Sequence, residues 1–149
     1  MKAKTYHEWF IRHQEELEAS LAAEGEGSGA GLTAEIVRYS HLRNYILSGE
    51  SKPDIIVACD DDGELSASAL RLIRDFFADH PGINMLYGDE DQVSEGTYIS
   101  PWFKADWSPD TFLSTFYFGS VFLSRKFFSI PRLFLQIHRA LNHNVKFLF

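Results

Sequence analysis

A chain of 149 residues with 45% hydrophobic and 15% aromatic residues holds the material for one modest core. Its formal charge of −7 excludes sequence-independent nucleic-acid binding, which needs clustered Lys and Arg to neutralise phosphates. The single cysteine, Cys59, excludes an internal disulfide framework, and the opening MKAKTYHEWF lacks the apolar stretch of a secretory signal. With no run of about 18 apolar residues, the expectation is a cytoplasmic chain whose membrane contact, if any, is peripheral at the inner face.

Residues 5 to 23 place Tyr6, Trp9, Phe10, His13, Leu17 and Leu21 at helical spacing between charges, which predicts an amphipathic helix. Gly25 to Gly31 (GEGSGAG) then reads as a flexible connector. Thr33 is placed to cap a second helix carrying Ile36, Val37, Leu42 and Ile46, which Gly49 and Pro53 stop. Ile55 to Cys59 is a short apolar run that ends in Asp60, Asp61, Asp62 and Gly63, the pattern of a buried strand with acids at its carboxyl end. Ser66 is placed to cap the next helix, with Leu70, Ile73 and Phe77 on one face and His80-Pro81-Gly82 as its stop.

A second strand, Ile83 to Tyr87, runs into Asp89, Glu90 and Asp91. Strand, helix, strand at this spacing predicts a βαβ unit of a parallel sheet, whose ligands gather beyond the carboxyl ends of the strands. Both acidic clusters should therefore face one crevice. Past residue 95, Pro101 and Pro109 mark an ordered but irregular connection, and Pro131 is placed to begin a last helix with Phe134, Ile137 and Leu141 on one side. No Asp or Glu follows Asp110, and nine of the thirteen phenylalanines lie in this last segment. Such a basic, aromatic tail reads either as core or as a partner- or membrane-binding face.

Alternate residues of an extended strand end point the same way, so Asp60 and Asp62 are expected to project together. Paired carboxylates suit a hard divalent cation, with the remaining positions open to water and phosphate oxygens. A solvated acidic loop is the competing reading of the same residues.

The stretch Asn44 to Leu70 (NYILSGESKPDIIVACDDDGELSASAL), the block Tyr87 to Val93 (YGDEDQV) and the block Pro101 to Leu113 (PWFKADWSPDTFL) together resemble family 2 glycosyltransferases, in the subgroup that builds rhamnose-containing and other bacterial surface polysaccharides. The resemblance covers roughly residues 36 to 127 and departs from the family pattern at Gly63 and Ala105. It implies an α/β fold: an incomplete GT-A, Rossmann-like domain with a short, mostly parallel sheet flanked by helices. The domain organisation it suggests is residues 1–31 as helix and linker, 32–127 as a partial GT-A core and 128–149 as a basic aromatic tail.

The same resemblance implies that Asp60, Asp61, Asp62 and Asn44 bind the nucleotide sugar, with Asp60 and Asp62 as ligands of Mg²⁺ or Mn²⁺. Asp89, Glu90, Asp91 and Trp107 would lie on the acceptor side; the plainer readings are turn-capping acids paired with Lys104 and a core tryptophan. Implied partners are a UDP- or dTDP-linked sugar and a glycan acceptor. A homo-oligomer or partner chain is expected to cover the edge left by the family's opening strands, which the sequence does not display. The family's catalytic base lies downstream of the FKADWSPD block, where this chain has no carboxylate, so the catalytic residue is unassigned. Two functions remain: a partial glycosyltransferase, or a catalytically inactive relative that serves as an interaction module.

Overall fold

The computed structural model describes residues 3–48, 50, 53–106, 108–114, 119 and 121–124. The expected helix with Phe134, Ile137 and Leu141 lies outside them, as does Trp107. The chain is mixed α/β, and its centre is the strand β2 (Ile55–Cys59), buried at all five positions. Ile55, Ile56 and Val57 are at most 1% exposed. Each stabilises the fold by about 1.5–3 kcal/mol relative to an exposed side chain. Such an uninterrupted apolar run is what a strand covered on both faces requires.

On one face, Ile55 and Val57 pack with Ile73 and Phe77 of α3 (Ala69–Asp79), joined by Leu65, Leu70 and Leu86. On the flanks lie β1 (Ala34–Arg38), parallel to β2, and β6 (Val121–Ser124), antiparallel to it. β3 (Met85–Tyr87) pairs antiparallel with β6, giving the order β1-β2-β6-β3. Three of these four strands point one way. The βαβ expectation holds for direction but not for adjacency, because β6 inserts between β2 and β3.

The sequence pattern misplaced several boundaries, each for a local reason. Thr33 does not cap a helix: its N–H and hydroxyl both donate to Asp54 Oδ2, at 3.0 and 2.9 Å, and its carbonyl accepts from Ile55 N–H at 3.0 Å. That clasp starts β1 beside β2, so Ile36 and Val37 are strand residues and α2 (Tyr39–Leu47) begins only afterwards. Ser66 likewise accepts a turn bond from Ala69 N–H at 3.0 Å, and the helix starts three residues later than its cap was placed. Ile83 is held in a turn by its bond to the His80 carbonyl at 3.0 Å, which shortens β3 to three residues.

The connection past residue 95 opens as a regular strand where irregularity was expected. β4 (Glu90–Ser94) and β5 (Thr97–Trp102) form an antiparallel hairpin closed by Glu95 and Gly96, both with positive φ (50° and 74°). Two such residues match the type I′ geometry whose twist suits a hairpin. A register shift between Glu90 and Gln92 leaves one extra residue on β5, and Ser100 absorbs it with φ 51° just before Pro101.

The amphipathic helix is present as α1 (Ala3–Glu24). It packs on β5, where Phe10 and Tyr98 approach to 4.2 Å between ring centroids and His7 Nδ1 accepts from Tyr98 N–H at 3.2 Å. Its far end meets α3, where Arg71 donates to the Leu21 carbonyl and pairs with Glu24 at 3.7 Å. The glycine run that follows is no free linker. Gly29 N–H donates to Asp75 Oδ1 at 2.8 Å, and a Cβ at Gly29 would overlap the Arg74 backbone. Only glycine allows that approach.

Candidate functional site

One edge of the four-stranded sheet gathers most of the charged chemistry. The carboxyl ends of β1, β2 and β3 lie there, together with Gly119 just before β6. This is the crevice side expected for an open α/β sheet.

The first acidic cluster leaves β2 as a turn: Gly63 N–H donates to the Asp60 carbonyl at 3.1 Å. The turn replaces the extended end assumed from the sequence, so strand alternation does not fix how Asp60 and Asp62 face. Arg38, the last residue of β1, organises the turn. Its Nη1 donates to the Asp60 carbonyl at 2.7 Å, to the Gly63 carbonyl and to Cys59 Sγ at 3.2 Å. Asp61 Oδ1 accepts from Ser40 N–H in the first turn of α2 at 3.3 Å, a position favourable for an anion. Asp61 and Asp62 are exposed, whereas Asp60 is half-buried.

The second cluster divides among three tasks. Glu90 turns toward the first cluster and pairs with Lys104 Nζ at 3.2 Å. Asp89 Oδ1 accepts the Lys104 backbone N–H at 2.7 Å. Asp91 Oδ2 accepts the Tyr6 hydroxyl at 2.8 Å and so fastens α1 to the hairpin. The acceptor-side role and the turn-pairing role separate residue by residue, with Glu90 the acid that reaches the Asp60 side.

Charges of the second cluster act on the first. The Asp60 carboxyl is held above the usual range by burial first, then by the charges of Glu90, Asp62 and Asp61, with Lys104 acting in the opposite direction. Tyr39, at the start of α2, donates its hydroxyl to the Gly119 carbonyl. Its phenol is pushed up by burial and then by Asp60 and Glu90. The Glu90 carboxylate sits so close to Gly119, whose φ is 62°, that a Cβ there would overlap it. Lys104 is pulled down by burial against the opposing pull of Glu90, Asp89 and Asp60.

Beside this crevice a cleft of about 340 Å³ runs between the Met85–Asp89 segment and Lys104–Asp106, bridged by the Tyr87 hydroxyl donating to the Ala105 carbonyl at 2.7 Å. Asn44 is exposed in the middle of α2 and is brought to the Asp60 turn by no hydrogen bond among the described residues. Arg38, Tyr39 and Gly119 belong to the site and were not anticipated. Their signal was faint, because the β-branched pair Ile36-Val37 before Arg38 fits a helix face as well as a strand.

Asp60 and Asp62 offer the hard oxygen donors that Mg²⁺ or Mn²⁺ takes. Among the described residues no three His, Cys, Asp or Glu side chains are grouped as a ready-made metal cage. No protein-family model, curated protein or solved structure matches this chain.

Proposed function

We propose that this chain carries the donor-binding part of a metal-dependent GT-A glycosyltransferase of family 2, taking a sugar from a UDP- or dTDP-linked donor toward a cell-surface glycan. The observation that carries the reading is that two acidic clusters follow the carboxyl ends of co-directed strands on one edge of the sheet, the Asp60 turn held by Arg38 and Glu90 held by Lys104. A purely solvated acidic loop would not be half-buried at Asp60 and held in its turn by Arg38.

In this reading Arg38 holds the turn that presents Asp60 and Asp62, and these two carboxylates hold the ion. When bound, the ion supplies charge neutralisation to the diphosphate as it departs. Gly63, with its carbonyl taken by Arg38, keeps the turn tight. Glu90 lines the opposite wall, and the adjacent cleft between Asp89 and Asp106 has room for part of an acceptor. The second reading is a catalytically inactive interaction module, for which the basic, aromatic segment after Asp110 would be the binding face.

Calorimetric titration of UDP and dTDP with Mn²⁺, repeated without metal and with Asp62→Asn, tests the proposal. Metal-dependent binding lost in the variant is the expected result. A folded protein that binds neither nucleotide would sink the donor-site reading and leave the interaction module.

A further inference from the structure

The first turns of α1 meet the β4–β5 hairpin through Tyr6, His7 and Phe10. Tyr6 donates its hydroxyl to Asp91, and Phe10 packs against the Tyr98 ring. His7 lies over the same ring, 5.7 Å between centroids, and its Nδ1 accepts the Tyr98 N–H at 3.2 Å. Both strands of a two-stranded sheet have an open edge, whose backbone donors need partners from elsewhere. At Tyr98 that partner is a titratable ring. A backbone N–H only donates, so His7 must offer a lone pair at Nδ1 and carry its one ring proton on Nε2. An imidazolium has a proton on each nitrogen and would set a second donor against the Tyr98 N–H.

We propose that His7 is a pH-operated latch: neutral, it holds the first half of α1 on the edge of β5, and protonated, it releases that half from the hairpin. The far half stays in place, because Arg71 of α3 bonds the Leu21 carbonyl and pairs with Glu24. The acids that face this junction are already engaged. On β4, Asp91 holds the Tyr6 hydroxyl and Glu90 pairs with Lys104, while Asp89, just before that strand, holds the Lys104 N–H. β5 (TYISPW) carries no charge, Glu95 sits exposed in the hairpin turn, and the nearest charged residues along α1 are Lys4, Glu8 and Arg12, of mixed sign. An imidazole changes charge between about pH 5 and pH 8, where neither a phenol nor a phenyl ring does. Tyr6 and Phe10 therefore keep their chemistry while His7 gives up its bond. The latch does not depend on what the acidic crevice binds.

The test is amide hydrogen exchange along α1 at about pH 8 and about pH 5.5, on either side of imidazole titration, corrected for the intrinsic rate. It compares wild type with His7→Asn, whose Oδ1 accepts a hydrogen bond but does not titrate. Wild type is expected to lose protection over residues 3–12 by on the order of tenfold at the lower pH, the scale of one net hydrogen bond, with residues 17–24 unchanged. His7→Asn is expected to keep the same protection at both values. Equal protection of wild type at the two pH values overturns the inference. So does a pH-dependent loss of the same size in His7→Asn, which would assign the effect to His13 or Asp91. If the variant fails to fold, nitrogen-15 shifts of wild type still decide: Nδ1 of His7 is expected to lack a proton at about pH 8, and the Tyr98 amide to move as the ring titrates. A Tyr98 amide indifferent to that titration overturns the latch.

Discussion

The Tyr6 hydroxyl donates to Asp91 Oδ2 at 2.8 Å, joining two residues 85 positions apart. Tyr6 is 5% exposed, so this bond is made largely out of water and ties α1 to the strand that also carries Glu90. A hydrogen bond to a charged acceptor contributes about 1.5–3 kcal/mol. Tyr6→Phe keeps the ring and removes the donor, and is expected to destabilise the protein by about that amount in urea unfolding. A loss below about 0.5 kcal/mol would mean that water replaces the bond without cost.

Arg38 spends one nitrogen on two carbonyls and a thiol, all in the turn that follows β2. Arg38→Met preserves bulk but takes this donor from all three, leaving the Asp60 carbonyl its turn bond from Gly63 N–H. The expected result is a stability loss of about 2–4 kcal/mol together with loss of nucleotide binding. Retained binding in a destabilised variant would show that the acidic turn keeps its shape without the guanidinium.

The β4–β5 turn contains a correctable strain. Glu95 has φ 50°, a region that side chains other than Asn, Asp and Gly occupy at a cost. Glu95→Asn suits the first position of a type I′ turn and is expected to raise stability by about 0.5–1 kcal/mol. An unchanged or lower melting temperature would count against the type I′ assignment.

Alkaline pH should weaken the fold through Tyr39 and Tyr6. Both phenols are held above the ordinary value of 10.0, chiefly by burial. After burial, Asp60 and Glu90 act on Tyr39, while Tyr6 feels its bond to Asp91. A phenol raised in the folded state binds its proton more tightly there than in the unfolded chain. Its contribution is complete below the unfolded value and is lost as pH rises above about 10, by up to about 1.4 kcal/mol per pH unit for each tyrosine. Urea midpoints measured from pH 8.5 to 11 on wild type and Tyr39→Phe check this. The variant should show a shallower alkaline decline, and parallel curves would contradict the assignment to Tyr39.

The residues that announced themselves in the sequence were those whose role follows from a local pattern. Ile55 to Cys59 had to be a covered strand because five consecutive apolar residues leave no face for water, and the acids had to begin where burial ended. Leu70, Ile73 and Phe77 fixed a helix face by spacing alone, and the order of strand, helix and strand pointed to an α/β class with acids at strand ends. Long-range partnership decided the rest. Ile36-Val37 suits helix or strand equally, and the Thr33–Asp54 clasp across 21 positions made it β1. The second acidic cluster reads as one motif, yet its three members part company because the Tyr6 hydroxyl, the Lys104 backbone N–H and the Lys104 ammonium each claim a different carboxylate. Spacing encodes which face a side chain takes within its own element. Which charge it meets across the fold depends on strand order, and only the insertion of β6 between β2 and β3 set that order.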